Sequence, residues 1–480
     1  MKVDKLTIAH ISDLHRSQEH PVSNSALLNS LLQDFDTYSD NGMSELDLII
    51  VSGDLVKGGK TKDDIIKQYD EAFDFLCELA NKLLSGDRSK IILVPGNHDV
   101  SWEESQNSMT KIEEKEITGD DGNLRREILS QAIQIDSNIK WSWEDRSFYR
   151  VTDKANYDNR MMHFIDMYQK FYEKTKSYSL DPDKQFELFD FKKFGITVVG
   201  FNSCFHNDHL NRAGSINPEC IAKVGLKLRA LKKEGRLVLA SWHHNTKGGP
   251  YDQDYMDGSF IKNLISSGIK IGFHGHQHRQ EIIREENNII DGDMMLILSA
   301  GSLCAGPTEL PTGYDRQYNL LELTRVDDEE IQCKLFSRVK TPESSFENPV
   351  WHAGVIGSTN TEFSVIIKHP IPPKLGLGKA EALLGEKKYG DAKEILEGYS
   401  IENPLARMML LECYEKLEEY NAIINAFNDP QTNAECVSLI NAAMEVGNAK
   451  TANTILNLGI IKNSSDPSVS HLRDQLRAKI

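Results

Sequence analysis

Residues 91–99 read IILVPGNHD, a short apolar run and a glycine followed by residues whose side chains bind metals or protons. Residues 48–55 (LIIVSGDL) have the same order of features, and residues 6–15 (LTIAHISDLH) share the apolar run and the ligand-type residues without the glycine. A short apolar run without alternation is typical of a strand that is buried on both faces. We predict seven such strands, at Leu6–Ile11, Leu46–Val51, Ile91–Val94, Ile196–Phe201, Leu237–Ser241, Ile269–Phe273 and Met295–Ser299.

Segments with a helical period lie between several of these strands. One apolar stripe is formed by Ile65, Ile66, Tyr69, Phe73, Leu76, Ala80 and Leu83, and another by Ile221, Val224, Leu228 and Leu231. Strands that alternate with helices predict an α/β sandwich.

Residues 101–190 interrupt this alternation with a polar stretch that is rich in Trp, Tyr, Phe and Met. We predict a mostly helical insertion. An insertion that follows a strand of an α/β sheet lies near the ligand crevice, but a helical elaboration without substrate contact fits the sequence equally well.

The second half of the chain changes character after Ser302. Short alternating segments at Leu320–Leu323 and Ile331–Phe336 predict edge strands, and Pro370, Pro372 and Pro373 indicate a linker. We therefore divide the chain into an α/β domain at 1–340, an edge strand and linker at 341–373, and an all-α domain at 374–480.

Three segments of this all-α domain match at a period of about thirty residues, which is typical of stacked helical hairpins. In each segment the second matching residue follows the first by six positions, and the third follows the second by three. The pattern resembles tetratricopeptide repeats, and a generic helical bundle is the alternative. The matching triplets are Leu383, Tyr389 and Ala392; Tyr414, Tyr420 and Ile423; and Ala443, Ala449 and Ala452.

Composition narrows the class of protein. Hydrophobic residues make up 39% of the chain and charged residues 26%, which is ordinary for a globular protein. The net charge of −17 argues against a general affinity for nucleic acid. The first residues lack the features of a signal peptide, no apolar stretch approaches bilayer length, and the seven cysteines lack paired spacing. We expect a cytoplasmic protein without a membrane partner.

Metal-type ligands follow five of the predicted strands. Because loops at the carboxyl edge of such a sheet converge on one crevice, these side chains are expected to meet. Carboxylate, imidazole and amide oxygen together favour divalent Mn, Fe or Zn without thiolate. The motifs are Asp13-Leu14-His15, Gly53-Asp54, Gly96-Asn97-His98-Asp99, His243-His244 and Gly275-His276-Gln277-His278.

As an ordered set over residues 5–305, these motifs resemble those of the calcineurin-like metallophosphoesterases. The resemblance implies a two-sheet sandwich flanked by helices and a centre of two divalent metals, with Mn favoured. It implies that Asp13, His15 and His278 bind one metal. It assigns Asn97, His243 and His276 to the other metal, with Asp54 as the bridge.

The same resemblance implies hydrolysis of a phosphate ester by a hydroxide that bridges the two metals. It implies that His98 stabilises the phosphoryl oxygens or protonates the leaving group. Asp99 either holds the His98 imidazole in its tautomer or caps the following helix. Arg16, Arg279 and His244 are candidate substrate contacts, with surface charge as the alternative for the two arginines.

Several substrates remain open from the sequence. A phosphodiester (nucleotide, cyclic nucleotide or nucleic acid) is favoured. Gly53-Asp54-Leu55-Val56-Lys57 lacks the second acidic residue of the DNA-break nucleases in this family, and the chain looks closer to the cyclic-nucleotide phosphodiesterase branch. The alternatives are a nuclease recruited through its repeats, a protein phosphatase and a non-catalytic adaptor. We expect the repeats to bind a protein partner or a second copy of the chain.

Overall fold

The chain forms two compact units, Met1–Ile371 and Pro372–Ile480. The computed structural model describes residues 5–18, 22–40, 45–59, 61–132, 137–233, 235–247, 255–286, 294–326, 330–357, 359–369, 376–397, 403–462, 464 and 466–479. The three prolines of the predicted linker (Pro370, Pro372 and Pro373) lie outside these residues.

The strands of the first unit are numbered in chain order. They are β1 (Lys5–Ile11), β2 (Leu48–Val51), β3 (Ile91–Leu93), β4 (Met109–Lys111), β5 (Ile139–Ser142), β6 (Ser147–Val151), β7 (Phe186–Phe191), β8 (Ile196–Phe201), β9 (Leu237–Ser241), β10 (Ile271–His274), β11 (Gln280–Glu286), β12 (Met294–Ala300), β13 (Gln317–Arg325), β14 (Glu330–Lys340), β15 (Trp351–Ala353) and β16 (Glu362–Lys368).

The α-helices are numbered in the same way. The first unit contains α1 (Asn24–Asp40), α2 (Lys62–Leu83), α3 (Trp102–Asn107), α4 (Glu114–Ile117), α5 (Arg126–Ala132), α6 (Lys154–Asp158), α7 (Met162–Phe171), α8 (Pro218–Lys233) and α9 (Gly258–Ser266). The second contains α10 (Gly376–Gly385), α11 (Tyr389–Leu396), α12 (Pro404–Lys416), α13 (Tyr420–Ala426), α14 (Asn433–Glu445), α15 (Ala449–Leu456) and α16 (Pro467–Lys479). Among the described residues, no helix is both long and apolar enough to cross a bilayer.

Two large sheets carry the core of the first unit. One has the order β15-β14-β13-β1-β2-β3, with β16 also paired to β14, and the other has the order β11-β12-β10-β9-β8-β7. The strands β1, β2 and β3 run parallel, as do β8, β9, β10 and β12. The carboxyl ends within each parallel set therefore share one edge.

Strand β9 shows why the apolar runs are continuous. Leu237 and Leu239 join the core that also contains β1, β2 and β3, whereas Val238 and Ala240 join a second core with α8 and α9. Both faces of the strand are buried, so polar residues are excluded until the strand ends. The predicted α/β sandwich flanked by helices is confirmed, together with a helical C-terminal region.

The insertion at 101–190 was predicted as helical, and this prediction is wrong in part. It contains helices, but also a three-stranded antiparallel sheet in the order β4-β6-β5. Trp141 on β5 pairs with Phe148 on β6, and their ring centroids are 4.7 Å apart. Cross-strand aromatic pairs of this kind stabilise a hairpin, and Phe148 packs on Ile112 and Ile139 in a small core.

The C-terminal unit repeats one turn three times. Lys387, Glu418 and Gly447 have left-handed backbone, with φ of 59°, 57° and 74°. The amide after each of them donates to the carbonyl five residues earlier, as in Lys388 to Leu383 and Asn448 to Ala443. Such bonds end a helix and reverse the chain. The residues that follow the turns at equal offsets, Ala392, Ile423 and Ala452, are all buried.

Candidate metal centre

The backbone at the predicted ligands is left-handed at five positions. The φ values are 53° at Asp13, 42° at His15, 52° at Asp54, 73° at His276 and 51° at His278. Residues other than glycine rarely adopt this region because the Cβ atom crowds the backbone. Strain of this kind persists where the surrounding structure imposes it, and it is concentrated at functional sites.

Asp13 and Asp54 lie at the ends of neighbouring strands and are almost fully buried. Asp13 Oδ1 lies 3.2 Å from His278 Nε2 and 3.8 Å from His15 Nε2. Asp54 Oδ2 lies 3.2 Å from His243 Nε2 and 3.9 Å from His15 Nε2. The two carboxylates therefore face a common group of imidazoles.

Asn97 completes the second half of this group. Its Oδ1 lies 3.0 Å from His243 Nε2 and 2.9 Å from His276 Nδ1, and these two nitrogens are 3.3 Å apart. In the first half, His15 Nε2 lies 3.1 Å from His278 Nε2. The structure thus brings together all seven predicted ligands: Asp13, His15, Asp54, Asn97, His243, His276 and His278.

Backbone carbonyls orient two of the imidazoles. His243 Nδ1 lies 2.8 Å from the Ser52 carbonyl, and His278 Nδ1 lies 2.9 Å from the Glu309 carbonyl. Because a carbonyl only accepts, each ring donates its Nδ1–H there and leaves Nε2 to face the carboxylates. A second ring nitrogen held in this way is typical of histidines that bind metals.

Gly53 is required by its neighbours. Its φ is +96°, and a Cβ built on it would lie 2.5 Å from the His243 ring. The glycine thus allows both the left-handed turn before Asp54 and the close approach of His243.

Charges within the group set its protonation states. Burial would raise the pKa of Asp13, but the neighbouring His278 lowers it to about 2. Burial would lower the pKa of His278, but Asp13 raises it to about 9. Burial lowers the pKa of His15 and of His276 to about 3, so these two rings are neutral.

The donor set fits divalent transition metals. Three combinations of its carboxylate and histidine atoms lie within 4.8 Å of one another, namely Asp13, His15 and His278; His15, Asp54 and His98; and Asp13, Asp54 and His243. Oxygen and nitrogen ligands about 2.1 Å from one ion lie roughly 3 Å from each other, which matches the spacings above. Burial would lower the pKa of His243, but Asp54 raises it to about 9, and metal binding would displace the Nε2 protons of His243 and His278.

His98 lies beside the ligands, and its two ring nitrogens have different surroundings. Its Nδ1 donates to the Lys57 carbonyl at 2.6 Å, and its ring centroid lies 4.8 Å from that of His15. Its backbone N–H donates to Asp54 Oδ1 at 2.9 Å. The His98 ring is partly exposed, so Nε2 is the nitrogen that a substrate could reach.

We expected Asp99 either to hold the His98 ring or to cap the following helix. The first expectation is wrong, because the Lys57 carbonyl contacts His98 Nδ1. The Asp99 carboxylate accepts from the backbone N–H groups of Leu55 and Gly96 and from Tyr69 Oη, at 3.2, 2.8 and 3.0 Å. Burial, and then the charge of Asp54, raise the pKa of Asp99 to about 7. Asp99 therefore joins the loops that carry Asp54 and Asn97.

The three candidate substrate contacts lie elsewhere or are already engaged. Arg16 is fully buried, donates to the Val22 carbonyl and lies 5.9 Å from the Phe75 ring centroid, so its placement contradicts a phosphate contact. Arg279 is half-exposed and contacts Gln277 and Glu281. The backbone of the loop decides whether an arginine beside a ligand faces the site or the core, and residue type alone does not indicate this direction.

His244 is fully buried, and both of its ring nitrogens have partners. Nδ1 lies 2.8 Å from Ser203 Oγ, and Nε2 lies 3.1 Å from the Arg212 carbonyl. Ser203 Oγ also accepts from the backbone N–H groups of His243 and His244. Its hydroxyl proton therefore goes to His244 Nδ1, and Ser203 supports the ligand loop.

Sequence reasoning missed Ser203 and the carbonyls of Ser52, Lys57 and Glu309. Ser203 stands two residues after the end of β8, as Asp13 does after β1 and His243 after β9, and that position could have indicated it. The carbonyls give no such signal, since every residue has one.

Comparison with known proteins fits this geometry. The family model for calcineurin-like phosphoesterase matches residues 6–280, which is more than half of the chain. The chain belongs to the calcineurin-like phosphoesterase family. It is accordingly a hydrolase of phosphoester bonds with a metal-binding site. No curated protein matches it.

Some solved structures match the chain at low sequence identity. A dimetal phosphatase from Danio rerio is 11% identical, with 76% of this chain and 99% of that chain covered and a TM-score of 0.39. The calcineurin-like phosphoesterase YfkN from Bacillus subtilis is also 11% identical, with 87% and 98% covered and a TM-score of 0.26. Vps29 from Entamoeba histolytica, solved with zinc, is 11% identical, with 76% and 99% covered and a TM-score of 0.24. At these scores no detail of their sites is transferred to this chain.

Proposed function

We propose that this phosphoesterase hydrolyses a phosphodiester in a nucleotide, a cyclic nucleotide or a nucleic acid. The observation that carries the proposal is the pair of ligand groups that share Asp54, with His98 beside them. Asp13, His15 and His278 would hold one divalent metal, and Asn97, His243 and His276 the other. Bound metals would activate water and offset phosphoryl charge. The mixed oxygen and nitrogen ligands fit Mn, Fe or Zn, of which we propose Mn.

The residues around the metals have separate tasks. Asp54 faces both ligand groups, so its carboxylate would offset the charge of both ions. His98 presents Nε2 toward solvent while its Nδ1–H is held by the Lys57 carbonyl. In this orientation Nε2 accepts when the ring is neutral, and as the imidazolium His98 can donate a proton to the leaving oxygen or a hydrogen bond to a phosphoryl oxygen.

The charges at the rim support a diester over a monoester. A monoester carries two negative charges at neutral pH and a diester carries one. Arg16 faces the core, and Arg279 contacts Gln277 and Glu281. Glu309, near His15 and His278, pairs with Lys57 at 3.5 Å, so this pair adds no net charge. Neither arginine therefore supplies a positive charge for the second anionic oxygen of a monoester, which a monoanionic diester does not need.

The test compares two chromogenic substrates in the presence of Mn²⁺. We expect the full chain to hydrolyse bis(p-nitrophenyl) phosphate faster than p-nitrophenyl phosphate. Single- and double-stranded DNA and RNA, cyclic nucleotides and a phosphopeptide then identify the natural class. Faster hydrolysis of the monoester and the phosphopeptide would favour a protein phosphatase. A chain that binds no metal and hydrolyses none of these substrates would be an adaptor.

For the C-terminal unit we propose tetratricopeptide-like repeats that bind a protein partner or a second copy of the chain. The equal turns at Lys387, Glu418 and Gly447 support three equivalent hairpins. Three hairpins are about the fewest that bury a continuous core. Light scattering of the full chain and of a chain cut after residue 371 tests self-association.

A further inference from the structure

Strand β16 lies at an edge of the sheet that contains β1. It pairs with Glu330–Phe336 of β14, and no other strand among the described residues pairs with it. Its side chains alternate between the core and an exposed face, without a bulge or a proline between Glu362 and Lys368. A regular free edge of this kind is a place where another strand can add. The exposed side chains are those of Glu362, Ser364, Ile366 and Lys368.

The hydrogen bonds of β14 show which backbone groups of β16 face outward. Val326 N–H donates to the Glu330 carbonyl at 3.0 Å, so the even-numbered residues of β14 bond β13. The Ser337 carbonyl accepts instead from Gly354, on the other side of β14, at 2.9 Å. Because these directions alternate along a strand, the odd-numbered residues of β14 bond β16, where their partners are also odd-numbered. The backbone N–H and C=O groups of the four exposed residues therefore point away from β14.

A second copy of β16 fits this free edge in one antiparallel register. When the two strands are centred on Val365, Glu362 of each copy faces Lys368 of the other, and Ser364 faces Ile366. All of these paired residues point their backbone groups outward, so each pair can exchange two N–H···O=C bonds. A shift of two residues either way places one of the two charges opposite an uncharged residue of β16 and the other beyond the end of the strand.

The core side of the paired strands would be apolar. Phe363 would face Ile367 of the second copy, and the two Val365 side chains would meet at the two-fold axis. Ile367 is buried in the core of the first unit, and Phe363 and Val365 pack against the same core. The pairing would therefore extend an existing apolar face. Cross-strand apolar pairs and opposite-charge pairs both stabilise antiparallel strands.

The charges at the two ends of β16 are available for a second copy. Neither Glu362 nor Lys368 has an ion pair among the described residues. Six residues of strand separate them by roughly 20 Å, so they cannot pair within one chain. With a net charge of −17, two copies repel each other overall, so a contact between them needs local complementarity. Strand β11, at an edge of the other large sheet, carries three glutamates and one arginine and would repel its own copy.

We propose that two copies of this chain associate through β16, with the strands antiparallel and the two-fold axis at Val365. The sheets that contain β1 in the two copies would then become continuous. All residues of this interface precede Ile371, so it differs from the association through the repeats proposed above, and it does not depend on the proposed phosphodiesterase activity. One strand pair is small for an interface, and we expect the dimer to dissociate on dilution to micromolar concentration.

Charge reversal at the ends of β16 tests this pairing in the full chain. Glu362→Lys or Lys368→Glu turns both opposite-charge pairs of the dimer into like-charge pairs. Sedimentation equilibrium over a concentration series should show that the dissociation constant rises about tenfold or more in each single variant. Lys262→Glu is the matched control, since Lys262 is exposed on α9 and has no ion pair among the described residues. This control should dimerise like the unmodified chain.

Restoration of the charge pairs identifies the register. The double variant Glu362→Lys/Lys368→Glu should regain the dimer, and an equimolar mixture of the two single variants should form a heterodimer. In both cases every charge pair across the interface is again of opposite sign. Ile366→Pro removes an outward N–H without loss of a bond to β14, a position at which an edge strand tolerates proline. It should weaken the dimer and leave the circular dichroism spectrum unchanged.

Three results would overturn the proposal. The full chain could stay monomeric at high micromolar concentration, which would leave the edge to an extended peptide from another protein. The single variants could dimerise like Lys262→Glu, which would assign the association to another surface, such as the repeats. The double variant and the mixture could both stay monomeric while the unmodified chain dimerises, which would rule out the register centred on Val365.

Discussion

In the unit that ends at Ile371, left-handed backbone occurs at five of the seven predicted metal ligands as well as at turns, whereas in the C-terminal unit it occurs at the turns between helices. At Asp13 or Asp54 the strained turn aims a carboxylate at neighbouring imidazoles. At Lys387 or Glu418 the side chain is exposed and the turn only reverses the chain. The same backbone conformation thus positions carboxylates at the metal centre and reverses the chain between the helices.

Asp54→Ala should have the largest effect. Its carboxylate faces both ligand groups, so its loss should reduce metal content at both positions and lower kcat/KM by roughly four orders of magnitude or more. Mass spectrometry of bound metal and turnover of bis(p-nitrophenyl) phosphate measure the two effects. Full activity with one metal in Asp54→Ala would contradict the shared role, and Asp54→Asn shows whether the charge or the shape matters.

His98→Ala should separate metal binding from chemistry. The His98 ring lies beside the ligands but donates Nδ1–H to a carbonyl, so its removal should leave the metal content unchanged. Turnover should fall by about two to four orders of magnitude, the usual range for a positioned acid or base. Loss of metal together with activity would show that His98 is a ligand, as the cluster of His15, Asp54 and His98 would allow.

Ser203→Ala tests the support behind the ligands. Removal of its Oγ leaves two buried N–H groups without an acceptor and frees His244, and such changes cost about 10- to 100-fold in metal affinity or activity. Ser105→Ala is the matched control, since Ser105 is equally buried. Its Oγ hydrogen-bonds His209 Nδ1 at 2.6 Å, and neither residue is one of the predicted ligands. Equal losses in both variants would assign the effect to general destabilisation.

The sequence predicted the part of this site that residue type encodes. Carboxylates, imidazoles and an amide after apolar strands pointed to one crevice, and the structure brings them together. It did not predict that Lys57 holds His98 through a carbonyl, or that Asp99 joins two loops, because backbone contacts leave no trace in residue type. Arg16 shows the same limit, since a cation after a ligand can face the site or the core. The short strands around Trp141 and Phe148 were missed because three to five residues carry little periodicity.

Removal of the C-terminal unit tests whether the helices are needed for hydrolysis. The ligands, Ser203 and the carbonyls that orient the rings all belong to Met1–Ile371. We expect a chain cut after residue 371 to hydrolyse bis(p-nitrophenyl) phosphate within about twofold of the full chain, as for separable domains. Self-association, or action on a larger natural substrate, should weaken. A folded truncated chain that has lost small-substrate turnover would show that the helices help to build the active site.

The smallest expected effect concerns the turns of the C-terminal unit. Gly447 occupies the turn at which the equivalent positions hold Lys387 and Glu418, and all three have left-handed backbone. A side chain in this region costs about 1 kcal/mol, so Lys387→Gly should stabilise the helical unit by up to that amount, less the entropy that glycine adds to the unfolded chain. Gly447→Ala should destabilise it by a similar amount. Hydrogen exchange of the amides in α10–α16 measures both changes in the full chain, and metal content and turnover should not move. If Lys387→Gly instead lowers protection, the lysine side chain contributes more than its backbone costs, and this turn does more than reverse the chain.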